Sequence, residues 1–76
     1  MNEGDQKLLK KITRFLTTIG LEVKEHPITG TTFLPGLKIV AGRLWVDTEQ
    51  LRHVGDVLHE AGHIALEPPA VRPTLD

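Results

Sequence analysis

The chain has 76 residues, a net charge of −1 and no cysteine. Its length allows one small domain, and the lack of cysteine excludes disulfides and cysteine-based zinc sites. Acidic and basic residues are mixed along the chain, which excludes the basic stripe expected of an electrostatic nucleic-acid binder.

The N-terminal region has no signal-peptide pattern, because polar residues interrupt each of its apolar runs. No run approaches the ~18 apolar residues of a membrane-spanning helix. We therefore expect a soluble, cytoplasmic protein that binds neither nucleic acid nor membrane.

An amphipathic helix is predicted over residues 5–19. Apolar residues recur at helical spacing from Leu8 to Ile19 and form one stripe. Asp5 lies where a capping or first-turn acid belongs, and Gly20 lies where a helix commonly ends.

Three short β segments are predicted after this helix. Residues 21–25 alternate between apolar and polar side chains, as a half-buried strand does, and residues 32–34 are predicted as a second, short strand. Residues 37–46 are predicted to form a β-hairpin. Ala-Gly is not a favoured two-residue turn, so a slightly longer loop with Gly42 in the left-handed region is expected at its tip.

A second helix is predicted over residues 54–66, since a residue that precedes proline is steered away from helical geometry. Residues 68–76 contain three prolines and are predicted to be an extended or disordered tail. The expected architecture is a small α+β domain over residues 1–67, with two helices on one face of a three-stranded antiparallel sheet.

The ionisable side chains of the second helix lie in one narrow sector of its helical wheel, at about 100° per residue. They are Asp56, His59, Glu60, His63 and Glu67. Apolar and small residues fill the rest of the wheel, which predicts a helix buried nearly all round. Burying imidazoles and carboxylates without partners is costly, and a metal ion or a solvent-filled cleft removes that cost.

The spacing of His59 and His63 has a specific use. Side chains at i and i+4 are neighbours on a helix, so both imidazoles can reach one ion at about 2.0–2.1 Å, the usual zinc–nitrogen distance. Glu60 lies beside the pair, where it can accept a proton from a water that the ion has made more acidic. This is the H-E-x-x-H pattern; the alternative is a pair of exposed or hydrogen-bonded histidines without a metal.

Residues 58–65, Leu-His-Glu-Ala-Gly-His-Ile-Ala, resemble the active-site helix of the zincin metallopeptidases. The predicted order of helix, hairpin and His-Glu helix resembles the minimal N-terminal part of a gluzincin-type domain. The resemblance implies that His59 and His63 bind zinc and that Glu60 is the general base. It also implies that one hairpin strand, residues 37–41 or 43–47, aligns an extended peptide or protein substrate by strand addition.

The function expected from this resemblance is zinc-dependent hydrolysis of peptide bonds. The alternative is a non-catalytic metal-binding or protein-interaction module on the same scaffold. An intact Glu60 favours the hydrolase, because a purely structural site does not need it, whereas an incomplete ligand set and the lack of any tyrosine favour the module.

Zincins supply a third protein ligand after the second histidine. The metzincin branch would need histidine at position 69 and glycine at position 66, where this chain has Pro69 and Leu66. Glu67, one turn further along the polar stripe, is the candidate within the second helix. The remaining alternatives are His26, His53, Asp76, another molecule or solvent, and a ligand from a longer natural chain of which these residues are a truncated portion.

Overall fold

The computed structural model describes residues 1–76 as two α-helices and a three-stranded sheet. The elements in chain order are α1 (Glu3–Thr18), β1 (Val23–Glu25), β2 (Leu37–Val40), β3 (Arg43–Val46), α2 (Gly55–Ala65) and a short 3₁₀ helix (Arg72–Thr74). The predicted α+β class is confirmed. None of the helices has the length and apolar character that crossing a bilayer requires.

Helix α1 begins two residues earlier than predicted, because Asn2 rather than Asp5 is its cap. The Asn2 side chain accepts a hydrogen bond of 2.7 Å from the backbone N–H of Asp5, which satisfies one of the free donors of the first turn. The helix ends before Gly20, whose φ of 89° is the left-handed conformation that glycine adopts at helix ends. Its apolar stripe is buried through Leu9, Ile12 and Leu16.

The sheet is mixed rather than antiparallel, with the strand order β1-β3-β2. β2 and β3 pair antiparallel, as the predicted hairpin requires, but β1 runs parallel to β3. The cause is the connection of residues 26–36, which carries the chain past β3 to the far edge. The strand predicted at 32–34 is absent, because Leu34 instead closes a turn by accepting a hydrogen bond from Leu37 N–H.

The hairpin tip is a two-residue turn, so the prediction of a longer loop was wrong. Ala41 and Gly42 both have positive φ, 52° and 76°, as the two central residues of a type I′ turn do. The C-terminal segment supports the turn: Ala41 N–H donates to Asp76 Oδ1 and Gly42 N–H donates to the carbonyl oxygen of Leu75.

Residues 68–76 fold back over the domain instead of extending away from it. The guanidinium group of Arg72 donates hydrogen bonds to the carbonyl oxygens of Ile64, Ala65 and Glu67. These carbonyls lie at and just after the end of α2, where regular i+4 helical donors are lacking. Leu75 packs against the core. The prediction of an extended or disordered tail was wrong, because it was based on the prolines alone and did not include these contacts.

One core holds the elements together. Its largest fully buried side chains come from the hairpin and α2: Leu37, Leu44, Val46, Val57 and Ile64. Helix α2 contacts β2 and β3, and α1 contacts β1 and α2. The other sheet face carries Trp45, on whose ring His26 lies with a centroid separation of 4.2 Å.

A buried carboxylate fixes the loop between β1 and β2. Asp47 is 9% exposed and accepts hydrogen bonds from the backbone N–H of Ile28, the backbone N–H of Glu49 and the side chain of Gln50. The Ile28 N–H, followed by the Gln50 side chain, lowers the pKa of Asp47 below its ordinary value of 3.8, and these bonds outweigh the opposing effect of burial.

We expect the Asp47→Asn variant to lose part of the acid sensitivity of the fold. Because the pKa is lower in the folded than in the unfolded chain, ionised Asp47 stabilises the fold above pH 3.8, and this stabilisation is lost as pH falls through the folded pKa. The free energy of unfolding, measured with urea between about pH 7 and pH 3, should fall more steeply with decreasing pH for the wild type than for Asp47→Asn. Glu49→Gln is the control, and parallel curves for wild type and Asp47→Asn would contradict the assignment.

Candidate metal centre

Helix α2 is amphipathic rather than buried nearly all round. Val57, Ala61 and Ile64 face the core, whereas Leu58 is 46% exposed and Leu66 is 85% exposed. A sheet of three strands covers only one side of the helix, so the apolar residues on its far side have no partner within the domain. The prediction of a helix buried nearly all round was wrong for this reason.

His59 and His63 lie on the exposed part of α2, one turn apart. Their ring centroids are 5.1 Å apart and the rings are nearly perpendicular, at 86°. One ligand atom from each of His59, Glu60 and His63 lies within 4.8 Å of the others. Donors on one tetrahedral zinc are about 3.4 Å apart, and rotation of two exposed imidazoles covers the difference. The donor chemistry and spacing fit a divalent ion.

Glu60 differs from the two histidines in being 8% exposed. Its carboxylate makes no hydrogen bond to the protein, yet no fully buried side-chain polar atom lacks a partner, so the carboxylate reaches solvent. It does so in an open cleft of about 490 Å³ between α2, β2 and the loop before β2. The members of the cluster therefore differ in burial: the two imidazoles are exposed, whereas the carboxylate lines the cleft.

The cleft follows the free edge of the sheet. Its lining residues are Thr31, Thr32, Phe33, Leu37, Lys38, Ile39, Val40, Glu60 and Asp76. β3 has a neighbouring strand on both sides, so residues 43–47 cannot provide the substrate edge that the resemblance implies. Only β2, within residues 37–41, has a free edge beside Glu60. Phe33 and Asp76 line this cleft too, which no periodicity in the sequence indicates.

The candidate third ligands do not join this cluster, which consists of His59, Glu60 and His63. Glu67 is exposed and lies beyond the end of α2. His26 lies against Trp45, and His53 is exposed before α2 begins. Asp76 lines the cleft with Glu60, but one of its carboxylate oxygens accepts the hydrogen bond from Ala41.

Comparison of the chain with protein-family models, with curated proteins and with solved structures finds no match. The interpretation of the site therefore depends on its own geometry and donor chemistry.

Proposed function

We propose that this chain is a zinc-dependent metallopeptidase or the catalytic portion of one, in which His59 and His63 hold the ion and Glu60 is the general base. The main support is the convergence of two imidazoles and one carboxylate within 4.8 Å on a single helix. A free strand edge beside that carboxylate adds to it, because a peptide backbone pairs with such an edge.

Each protein group has a distinct task in this proposal. A bound zinc ion supplies Lewis acidity and makes water more acidic. Glu60 takes the proton from the attacking water and delivers it to the leaving amine. Its position in the lining of an open cleft lets it reach water and substrate together. The free edge of β2 holds the peptide backbone, so that the scissile bond lies above α2.

A non-catalytic metal-binding module is the second candidate, and one observation favours it. The structure brings no side chain other than His59, Glu60 and His63 into the cluster, whereas catalytic zinc sites commonly have three protein ligands plus water. In a module of this kind Glu60 would complete the ligand set instead of activating water, so its substitution would remove zinc. The exposed Leu58 and Leu66 beside the histidines would then contact a partner.

Zinc binding tests the site directly. We expect the wild type to bind zinc in calorimetry, His59→Ala and His63→Ala to bind about 100-fold more weakly or worse, and the double variant to bind none. The reason is that loss of a mere supporting partner already costs about 10–100-fold in metal affinity. The control is His53→Ala, which removes an exposed histidine outside the cluster.

Equal zinc content in the wild type and the double variant would overturn the metal site. Glu67→Gln belongs in the same assay, because Glu67 is the candidate third ligand predicted from the sequence. Since Glu67 lies outside the cluster, we expect this variant to keep its zinc affinity; a loss comparable to that of His63→Ala would assign Glu67 as a ligand.

A further inference from the structure

The hydrogen-bonding groups on the free edge of β2 follow from the sheet register. Leu44 N–H donates to the carbonyl oxygen of Glu22, and the carbonyl oxygen of Val46 accepts from His26 N–H. The backbone groups of these two residues of β3 therefore point towards β1. The backbone groups of the residues between and beside them point towards β2. Asp47 N–H shows this by donating to the carbonyl oxygen of Gly36. In the antiparallel register, residues 37 and 39 of β2 then direct their backbone groups outward into the cleft.

The backbone N–H groups at both ends of this edge already have hydrogen-bond partners within the protein. At one end Leu37 N–H already donates to the carbonyl oxygen of Leu34, at 3.2 Å. At the other end Ala41 N–H donates to Asp76 Oδ1, at 3.1 Å. The outward groups left without a partner are the carbonyl oxygen of Leu37 and the N–H and carbonyl oxygen of Ile39. An extended peptide can therefore exchange both backbone hydrogen bonds with Ile39 and donate one more to the carbonyl oxygen of Leu37.

Phe33 lies beside this opening and has almost no contact with the rest of the chain. At 87% exposure it is the most exposed large apolar side chain of the protein, and it lines the same cleft as Ile39 and Glu60. Its loop is nevertheless held firmly. Thr32 Oγ1 donates to the carbonyl oxygen of Leu34, and Leu34 packs against the core. Because this ring lines a cleft beside the unpaired backbone groups of Ile39, it offers an apolar surface to a ligand bound there.

We propose that Phe33 determines specificity by packing against a large apolar side chain of the peptide residue that pairs with Ile39. This inference rests on the proposed function, since it names the substrate class of the same cleft. Pairing with Ile39 fixes the peptide backbone along β2, and Phe33 then contacts a side chain of that short segment. Ile39 and Val40, which are half-buried, line the same cleft.

The test uses three capped peptides, acetyl-Gly-Xaa-Gly-amide with alanine, leucine or phenylalanine at Xaa. Each is titrated into the 76-residue chain, both metal-free and zinc-loaded, and binding is followed through backbone amide NMR shifts. We expect the leucine and phenylalanine peptides to bind wild type about tenfold tighter than the alanine peptide, from the apolar area that they bury. The Ile39 amide should shift, whereas the Leu44 amide, which faces β1, should not.

The two phenylalanines of the chain supply a matched pair of variants. Phe33→Ala should bind the three peptides equally, while Phe15→Ala, which truncates a 56% exposed ring on α1, should keep the wild-type preference. Phe33→Leu should restore most of the preference. Thermal unfolding checks that each variant folds, which is expected because both rings are exposed.

The inference is overturned if Phe33→Ala keeps the preference, if wild type has none, or if the Ile39 amide does not shift. These outcomes differ from failure of the proposed function. A metal-free protein that prefers apolar peptides but neither binds zinc nor hydrolyses peptides would keep the cleft assignment and remove the peptidase. Zinc-dependent hydrolysis without any apolar preference would keep the peptidase and remove the role of Phe33.

Discussion

Replacing Glu60 with glutamine is expected to lower peptide hydrolysis by about 10²–10⁴-fold, the usual contribution of a general base. Glutamine keeps the shape of the side chain but cannot take a proton from water. Zinc affinity is expected to stay near that of wild type, because the imidazoles of His59 and His63 remain. The measurements are kcat/KM on a fluorogenic peptide mixture and zinc affinity for the same preparation.

Glu49→Gln is the matched control, since it removes an exposed carboxylate in the turn after β3, outside the metal cluster. It should leave both quantities unchanged. If Glu60→Gln hydrolyses peptides as fast as wild type, Glu60 is not the base. If Glu60→Gln loses its zinc, the carboxylate is a ligand, and the non-catalytic module becomes the better account.

Gly36→Ala is expected to destabilise the fold by about 2–5 kcal/mol, through left-handed strain and overpacking. Gly36 has a φ of 78°, and a Cβ there would lie 2.4 Å from the backbone nitrogen of Leu51 and 2.8 Å from the carbonyl oxygen of Asp47. Both obstacles are backbone atoms of a loop held by buried contacts, so neither can move cheaply. A domain of this size has little stability to lose.

Gly30→Ala separates the two causes of that loss. Gly30 has a similar φ of 82°, but a Cβ there meets nothing within 4 Å. Its substitution should cost only the conformational strain, about 1–2 kcal/mol. Urea unfolding of both variants at neutral pH gives the comparison. Equal losses would show that the close approach of Gly36 to Leu51 contributes nothing.

Local patterns predict the helices and the hairpin well. The apolar stripe of α1 has a 3.6-residue period, and the pattern of residues 37–46 puts Leu37, Leu44 and Val46 on the core face, as the structure shows. The proximity of His59 and His63 also depends only on neighbouring residues of one helix. Four residues along any helix place two side chains together, so the spacing alone predicts their proximity.

Features that depend on distant parts of the chain could not be predicted in this way. The pattern of β1 indicates a strand but not its parallel pairing with β3, which the path of residues 26–36 decides. A helical wheel groups Glu60 with the histidines, yet only the location of the sheet decides which side of α2 is covered. The contacts of Arg72 with the end of α2 join residues whose relation no local pattern contains.

The central location of β3 in the sheet also has a consequence for folding. The hairpin of β2 and β3 joins neighbouring residues through a two-residue turn, and such hairpins form in about 1–10 μs. β1 has no partner until β3 exists, and its docking closes the longer loop that contains residues 26–36. We therefore expect the first strand of the chain to be the last to join the sheet. Substitutions in β1 should then change the unfolding rate more than the folding rate, which stopped-flow kinetics would measure.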